Sequence, residues 1–122
     1  MIVAGFGFRR AATVASLRAA LARAGGAAGI AGLAAPADKV ESAAFRALAR
    51  ELGLPAHGVD SALLSDQQTP TRSAASLAAR GTGSVAEAAA LAAAGPGARL
   101  IAVRQTSADG MATCALAKGN ET

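Results

Sequence analysis

The chain has 122 residues and a net charge of +4, enough for one domain with a modest core and too little for two. Alanine supplies 37 of its 64 apolar residues, so the larger side chains must be well placed. A single Cys excludes an internal disulfide and one His plus one Cys cannot build a zinc site, while the longest uncharged run, residues 24–37, is Gly- and Ala-rich and too short to span a bilayer.

The apolar run at residues 1–5 predicts a strand, followed by the loop Gly5-Phe6-Gly7-Phe8-Arg9-Arg10. Thr13 caps a helix running to Ala24, with Val14, Leu17 and Leu21 on one face and Gly25-Gly26 ending it. Residues 29–35 read as a second strand, ending at Pro36. Asp38 and Glu41 have the spacing of a capping box. The helix behind them turns Phe45, Leu48 and Leu52 inward, with Arg46 and Arg50 outward, and stops at Gly53. Residues 54–59 form a weak third strand and residues 60–65 a helical turn. A polar loop with Pro70 covers residues 66–72, and a short helix covers residues 73–79. Ser84 and Glu87 give a second capping box, for a helix that ends before Gly95-Pro96-Gly97. Strands at residues 99–104 and 111–118 flank the turn signal Ala108-Asp109-Gly110.

Strands that alternate with helices imply a parallel sheet covered on both faces, and the short last connection makes the final pair antiparallel. The expected architecture is a single-domain, three-layer α/β/α sandwich around a mixed, mostly parallel sheet of about five strands. Residues 1–118 make the domain and residues 119–122 a frayed tail. No basic-then-apolar leader opens the chain, so it reads as soluble and cytoplasmic, with no membrane partner.

The ten Arg and two Lys are dispersed, and the chain has three Phe, no Trp and no Tyr. Base-stacking platforms use aromatics, so nucleic acid is not the expected partner. Arginine suits carboxylates and phosphates equally well. The loop Gly5-x-Gly7-x-Arg9-Arg10 lies at a strand's carboxyl end, where open α/β sheets bind ligands, and a helix start there favours anions. It lacks the third glycine of a dinucleotide fingerprint and the Gly-Lys-Ser/Thr of a P-loop. It reads either as an anion pocket or as a tight turn with two solvated arginines. Gly83, Ser84 and Glu87 read as a helix start that caps itself or lines the same cleft. Thr71, Arg72 and Ser73 offer a loop over a ligand or an ordinary connection. His57 has no evident catalytic partner and reads as structural or exposed, and Cys114, in the last strand, reads as a small buried thiol. Lys39 opposes the dipole of the helix that Asp38 is expected to start, a slight sign of function beside the commoner reading of an exposed lysine.

Taken in order, Gly5-x-Gly7-x-Arg9-Arg10, Lys39 after the second strand, Thr71-x-Ser73 and Gly83-Ser84-Val85-Ala86-Glu87-Ala88-Ala89-Ala90-Leu91 resemble the CobE / CbiG C-terminal domain family of cobalamin (vitamin B12) biosynthesis. The likeness runs from Met1 to Ala117 and is most specific at Ser84-Val85-Ala86-Glu87-Ala88-Ala89. Phe8 departs from it, standing where many relatives carry Cys. The resemblance implies a stand-alone CobE-like domain that meets a corrin-ring intermediate of the precorrin or hydrogenobyrinic acid type. Such a ligand is a flat apolar macrocycle fringed with carboxylates. Gly5, Gly7, Phe8, Arg9, Arg10, Lys39, Thr71, Ser73, Gly83, Ser84 and Glu87 are the candidate binding residues, with Phe6 or Phe8 covering a ring face. Other cobalamin-pathway enzymes are possible partners, and no protein-bound cofactor or metal is implied. A binding or accessory role needs no nucleophile and is the favoured reading. The alternative is a corrin-ring enzyme, such as a ring-lactone hydrolase, with Lys39 and Glu87 as catalytic groups.

Overall fold

The structure, a computed structural model, describes residues 1–67 and 84–120. The predicted helix at 73–79 and the candidates Thr71, Ser73 and Gly83 lie outside the described residues. Five strands, β1 (Ile2–Phe8), β2 (Ile30–Pro36), β3 (Ala56–Val59), β4 (Arg99–Thr106) and β5 (Ala112–Lys118), form one sheet in the order β3-β2-β1-β5-β4. Strands β1, β2 and β3 run parallel, and β5 is antiparallel to both neighbours. Among the described residues four helices cover it: α1 (Val14–Ala24), α2 (Ala43–Leu52), α3 (Ser61–Ser65) and α4 (Val85–Ala94). This is the expected mixed five-stranded α/β domain. Among the described residues no helix is long and apolar enough to cross a membrane.

Alternation along the strands divides the core. Ala4, Phe6 and Leu33 face α1 and α2, where they pack with Leu17, Leu21, Phe45 and Leu48. Val3 and Ala34 face α3 and α4, where they meet Val59, Leu64, Ala88 and Ala89. The first face is filled with large side chains. The second is filled mostly with alanine, so its helix must lie close to the sheet. Gly5 makes that approach possible: a Cβ there would overlap the Ala86 carbonyl oxygen and the Ala90 nitrogen of α4.

The helix ends follow local chemistry. Thr13 and Ser16 form a reciprocal capping box with Ser16 in the acid's place, each side chain meeting the other's backbone N–H at 3.2 Å. Gly53 ends α2 in the left-handed region at φ 67°. Arg18 on α1 grips Glu51 on α2 with both fork positions, at 2.9 and 2.7 Å.

The largest differences from the sequence reading are at the end of β1 and the start of α2. Strand β1 does not end at Gly5 but runs to Phe8, because β5 pairs it throughout, from Ile2↔Lys118 to Phe8↔Ala112. Asp38 does not cap α2. The chain turns as it leaves β2, with the Lys39 and Val40 amides donating to the Pro36 carbonyl at 2.8 and 3.1 Å. Ser42 is the cap, accepting the Phe45 N–H at 3.3 Å.

Candidate functional site

The parallel strands β1 and β2 end side by side, and the groups that follow them surround a cleft of about 480 Å³. Phe8 closes β1, Arg10 follows in the β1–α1 loop, Lys39 sits in the turn after β2, and Ser42 to Ala44 begin α2. The cleft has an aromatic floor because Phe6 and Phe8, two residues apart, point to the same face as Phe45. The Phe8 ring stacks on Phe45 at 5.9 Å and 13°, and Phe6 meets Phe45 edge-on at 5.8 Å and 72°. Lys39 Nζ stands 5.5 Å from the centroid of the Phe8 ring, within cation–π range. Its backbone is pinned on both sides, by its N–H to Pro36 and by its carbonyl, which accepts the Ser42 N–H at 3.0 Å. The cations are not isolated: Asp38 and Glu41 also border the cleft, and Glu41 pairs with Arg46 at 2.5 Å.

The arginine loop is fixed from the opposite side. The Arg9 N–H donates to the Met111 carbonyl at 2.9 Å, and the Arg9 carbonyl accepts the Ala12 N–H at 3.0 Å. Asp109, between β4 and β5, secures the same corner. Its Oδ2 accepts the Ser16 hydroxyl at 2.6 Å, and its Oδ1 accepts the Ser107 hydroxyl at 2.5 Å and the Met111 N–H at 3.0 Å. Hydrogen bonds from Ser107, then Ser16, then Met111 hold its carboxyl at a pKa of about 2. Asp109 was legible only as a turn residue, because Ser16 lies 93 positions away.

The remaining candidates are distributed otherwise. Arg9 is exposed and does not line the cleft. Gly5 is sealed under α4, and a Cβ on Gly7 would meet Thr113 Oγ1 at 3.0 Å and Val85 at 3.2 Å. Both glycines therefore serve helix–sheet approach on the α4 face and do not open toward the cleft. Phe6 is fully buried, so the ring-covering role expected of Phe6 or Phe8 is open to Phe8 alone. Lys39 is not at a helix start, and the dipole argument for it lapses.

Ser84 and Glu87 are completely buried on the α4 face. Ser84 Oγ accepts the Glu87 N–H at 3.3 Å, the half of the capping box that was expected. Glu87 Oε2 accepts the Arg104 N–H from β4 at 2.9 Å. The β4–β5 register slips between Ala102 and Gln105, and the carboxylate supplies an acceptor where the ladder is irregular. Glu87 and Lys39 thus occupy different surroundings, Glu87 inside the α4 layer and Lys39 beside the cleft.

His57 is exposed on β3. Cys114 is buried, and burial pushes its thiol well above the usual range. Among the described residues no group of three or more His, Cys, Asp or Glu is placed to hold a metal ion.

Fold and cleft together define an α/β domain with an aromatic-floored recess, bordered by charges of both signs, beyond the carboxyl ends of its parallel strands, the usual ligand position in such sheets. The chain belongs to the family described as Cobalamin synthesis G C-terminus, whose model matches residues 2–117. It is similar to the crystal structure of CobE, a protein from the cobalamin (vitamin B12) biosynthetic pathway, with 36% identity and a TM-score of 0.85, covering 96% of this chain and 89% of that one. It is also similar to the cobalamin biosynthesis protein chiG from Agrobacterium tumefaciens str. C58, with 31% identity and a TM-score of 0.73 over 99% of this chain and 100% of the other. A cobalamin biosynthesis protein G homologue from Sulfolobus solfataricus shares the fold, at 20% identity and a TM-score of 0.69, over 99% of this chain and 37% of that protein. No curated protein sequence matches the chain. The resemblance drawn from the motifs holds: this is a cobalamin biosynthesis protein of the CobE and CbiG C-terminal family.

Proposed function

We propose that the domain binds a polycarboxylate corrin-ring intermediate in the Phe8–Lys39 cleft and acts as a binding or accessory protein. The observation that carries this reading is the pairing of an aromatic surface with cations at its rim. Phe8, stacked on Phe45, lines the cleft with the Lys39 ammonium over its ring, and Arg10 shares the rim with Asp38 and Glu41. A macrocycle with peripheral carboxylates matches both features: the ring covers Phe8 and its acid side chains meet the ammonium and guanidinium groups. The cleft is smaller than such a ligand, so it would take one edge of the ring and leave the rest accessible to a pathway enzyme. The enzyme alternative gains little support. Its two candidate groups are not brought together: Glu87 is buried in the α4 layer with Oε2 accepting the Arg104 N–H, while Lys39 borders the cleft.

The test is an absorption titration of the protein with hydrogenobyrinic acid, followed by gel filtration. The expected result is a saturable spectral shift, co-elution and an unchanged chromophore on standing. A slow spectral change after binding would transfer support to the enzyme reading. Absence of both shift and co-elution would remove this ligand from the proposal.

A further inference from the structure

A second constellation lies at the opposite end of the sheet, where β1 and β4 begin and β5 ends. Arg99 and Lys118 are direct cross-strand partners in the β4–β5 ladder. Directly opposed like charges repel, and neither side chain has a hydrogen-bond or ion-pair partner among the described residues. Both border a cavity of about 310 Å³ completed by Gly97, Gly119 and Asn120. None of the described residues that line it is acidic. Gly97 helps keep it open. Its φ is +80°, and a Cβ there would come within 2.9 Å of the Asn120 amide nitrogen. The end of α4 lies close by, since a Cβ on Gly119 would stand 3.0 Å from the Ala94 carbonyl oxygen. A helix C-terminus carries about half a negative charge, which offsets only part of two full positive ones.

We infer that this end of the domain is a second anion site, for a carboxylate or phosphate group of a small polyanion. The guanidinium of Arg99 can grip two oxygens of one planar group, Lys118 adds a point charge, and the Asn120 amide can donate from the cavity wall. A bound oxyanion would turn the repulsion between the two strands into a shared attraction. The inference does not rest on the corrin reading. The two sites stand at opposite ends of β1 and share no residue.

The experiment is an amide NMR titration of the full chain with inorganic phosphate and, separately, with tricarballylate, at ionic strength matched with sodium chloride. Saturable shifts are expected at residues 97–99 and 118–120. The double variant Arg99→Gln, Lys118→Gln should bind about tenfold or more weakly, while Lys39→Ala should bind at this end like the parent. Should the double variant not fold, Lys118→Gln alone serves, with a smaller loss expected. Response to phosphate alone assigns a phosphoryl site, response to tricarballylate alone a carboxylate site, and response to both a general oxyanion site. Shifts that never saturate, that fall only around Arg10 and Lys39, or that persist unchanged in the charge-removed variant would overturn the inference.

Discussion

The two faces of the sheet solve the same packing problem with different side chains, and the proposed binding cleft lies at the end of only one of them. The α1/α2 face is filled by Phe6, Phe45, Leu17, Leu33 and Leu48. Its aromatic file extends through Phe8 to the sheet's end, where the layer opens into the cleft. The α3/α4 face is filled by Val3, Ala34, Ala88 and Ala89. There α4 is pressed so closely on β1 that Gly5 has no room for a methyl group, and its polar residues Ser84 and Glu87 bond within the layer. The stretch Ser84-Val85-Ala86-Glu87-Ala88-Ala89 is the most specific in the sequence, yet its geometry is explained by packing. The residues proposed to meet the corrin ring, Phe8, Arg10 and Lys39, sit at the end of the other face, in less distinctive stretches of chain.

This contrast breaks first at Gly5. Gly5→Ala drives a methyl group into backbone atoms of α4, which cannot yield as a side-chain tip would. The expected loss is ~3 kcal/mol of stability in urea unfolding, the upper range for overpacking. A variant as stable as the parent would mean that α4 does not lie on β1 as described.

Glu87 sharpens the comparison further. Glu87→Ala leaves the Arg104 N–H without its acceptor and opens a void, at an expected cost of ~2 kcal/mol. Glu87→Gln keeps an oxygen acceptor and should lose less. For the binding reading, Glu87→Gln should hold the corrinoid as tightly as the parent. Retained binding with loss of a turnover seen in the parent would favour the enzyme reading.

The smallest effect concerns the corner that supports the arginine loop. The folded pKa of Asp109, lowered from 3.8 to about 2, makes the carboxylate a source of stability above the unfolded value. That contribution is lost as pH falls from about 4 toward 2. Asp109→Asn should be less stable than the parent at neutral pH and flatten the decline across this window. Parallel pH curves for the two proteins would contradict the network.

Much of the architecture was readable because its signals are local. Thr13, Ser84 and Asp60 mark the starts of α1, α4 and α3, and Gly53 marks the end of α2. The turn signal at Asp109 placed the antiparallel pair. The errors came where one pattern serves two purposes. Gly5-x-Gly7 looks like a loop, but alternation sends both glycines to the helix-facing side of a continuing strand. Asp38-x-x-Glu41 has capping spacing, but the turn bonds to Pro36 delay the helix until Ser42. At the site, Phe8, Arg10 and Lys39 were legible as candidates, and the cleft brings them together. The bond from Arg104 to Glu87 spans 17 positions and that from Ser16 to Asp109 spans 93. No periodicity in a single sequence carries such pairs. Their roles became visible only once the sheet order was known.

The site proposed for a carboxylate-fringed ring is the Phe8–Lys39 cleft, and not the α4 face. It is tested most directly by titrating hydrogenobyrinic acid into the parent, Arg10→Ala and Lys39→Ala, with urea unfolding as the control for folding. Each variant should bind about tenfold more weakly, the loss of one charge-assisted contact, with stability close to that of the parent. Parent-like affinity in both variants would contradict the account and move the site elsewhere on the domain.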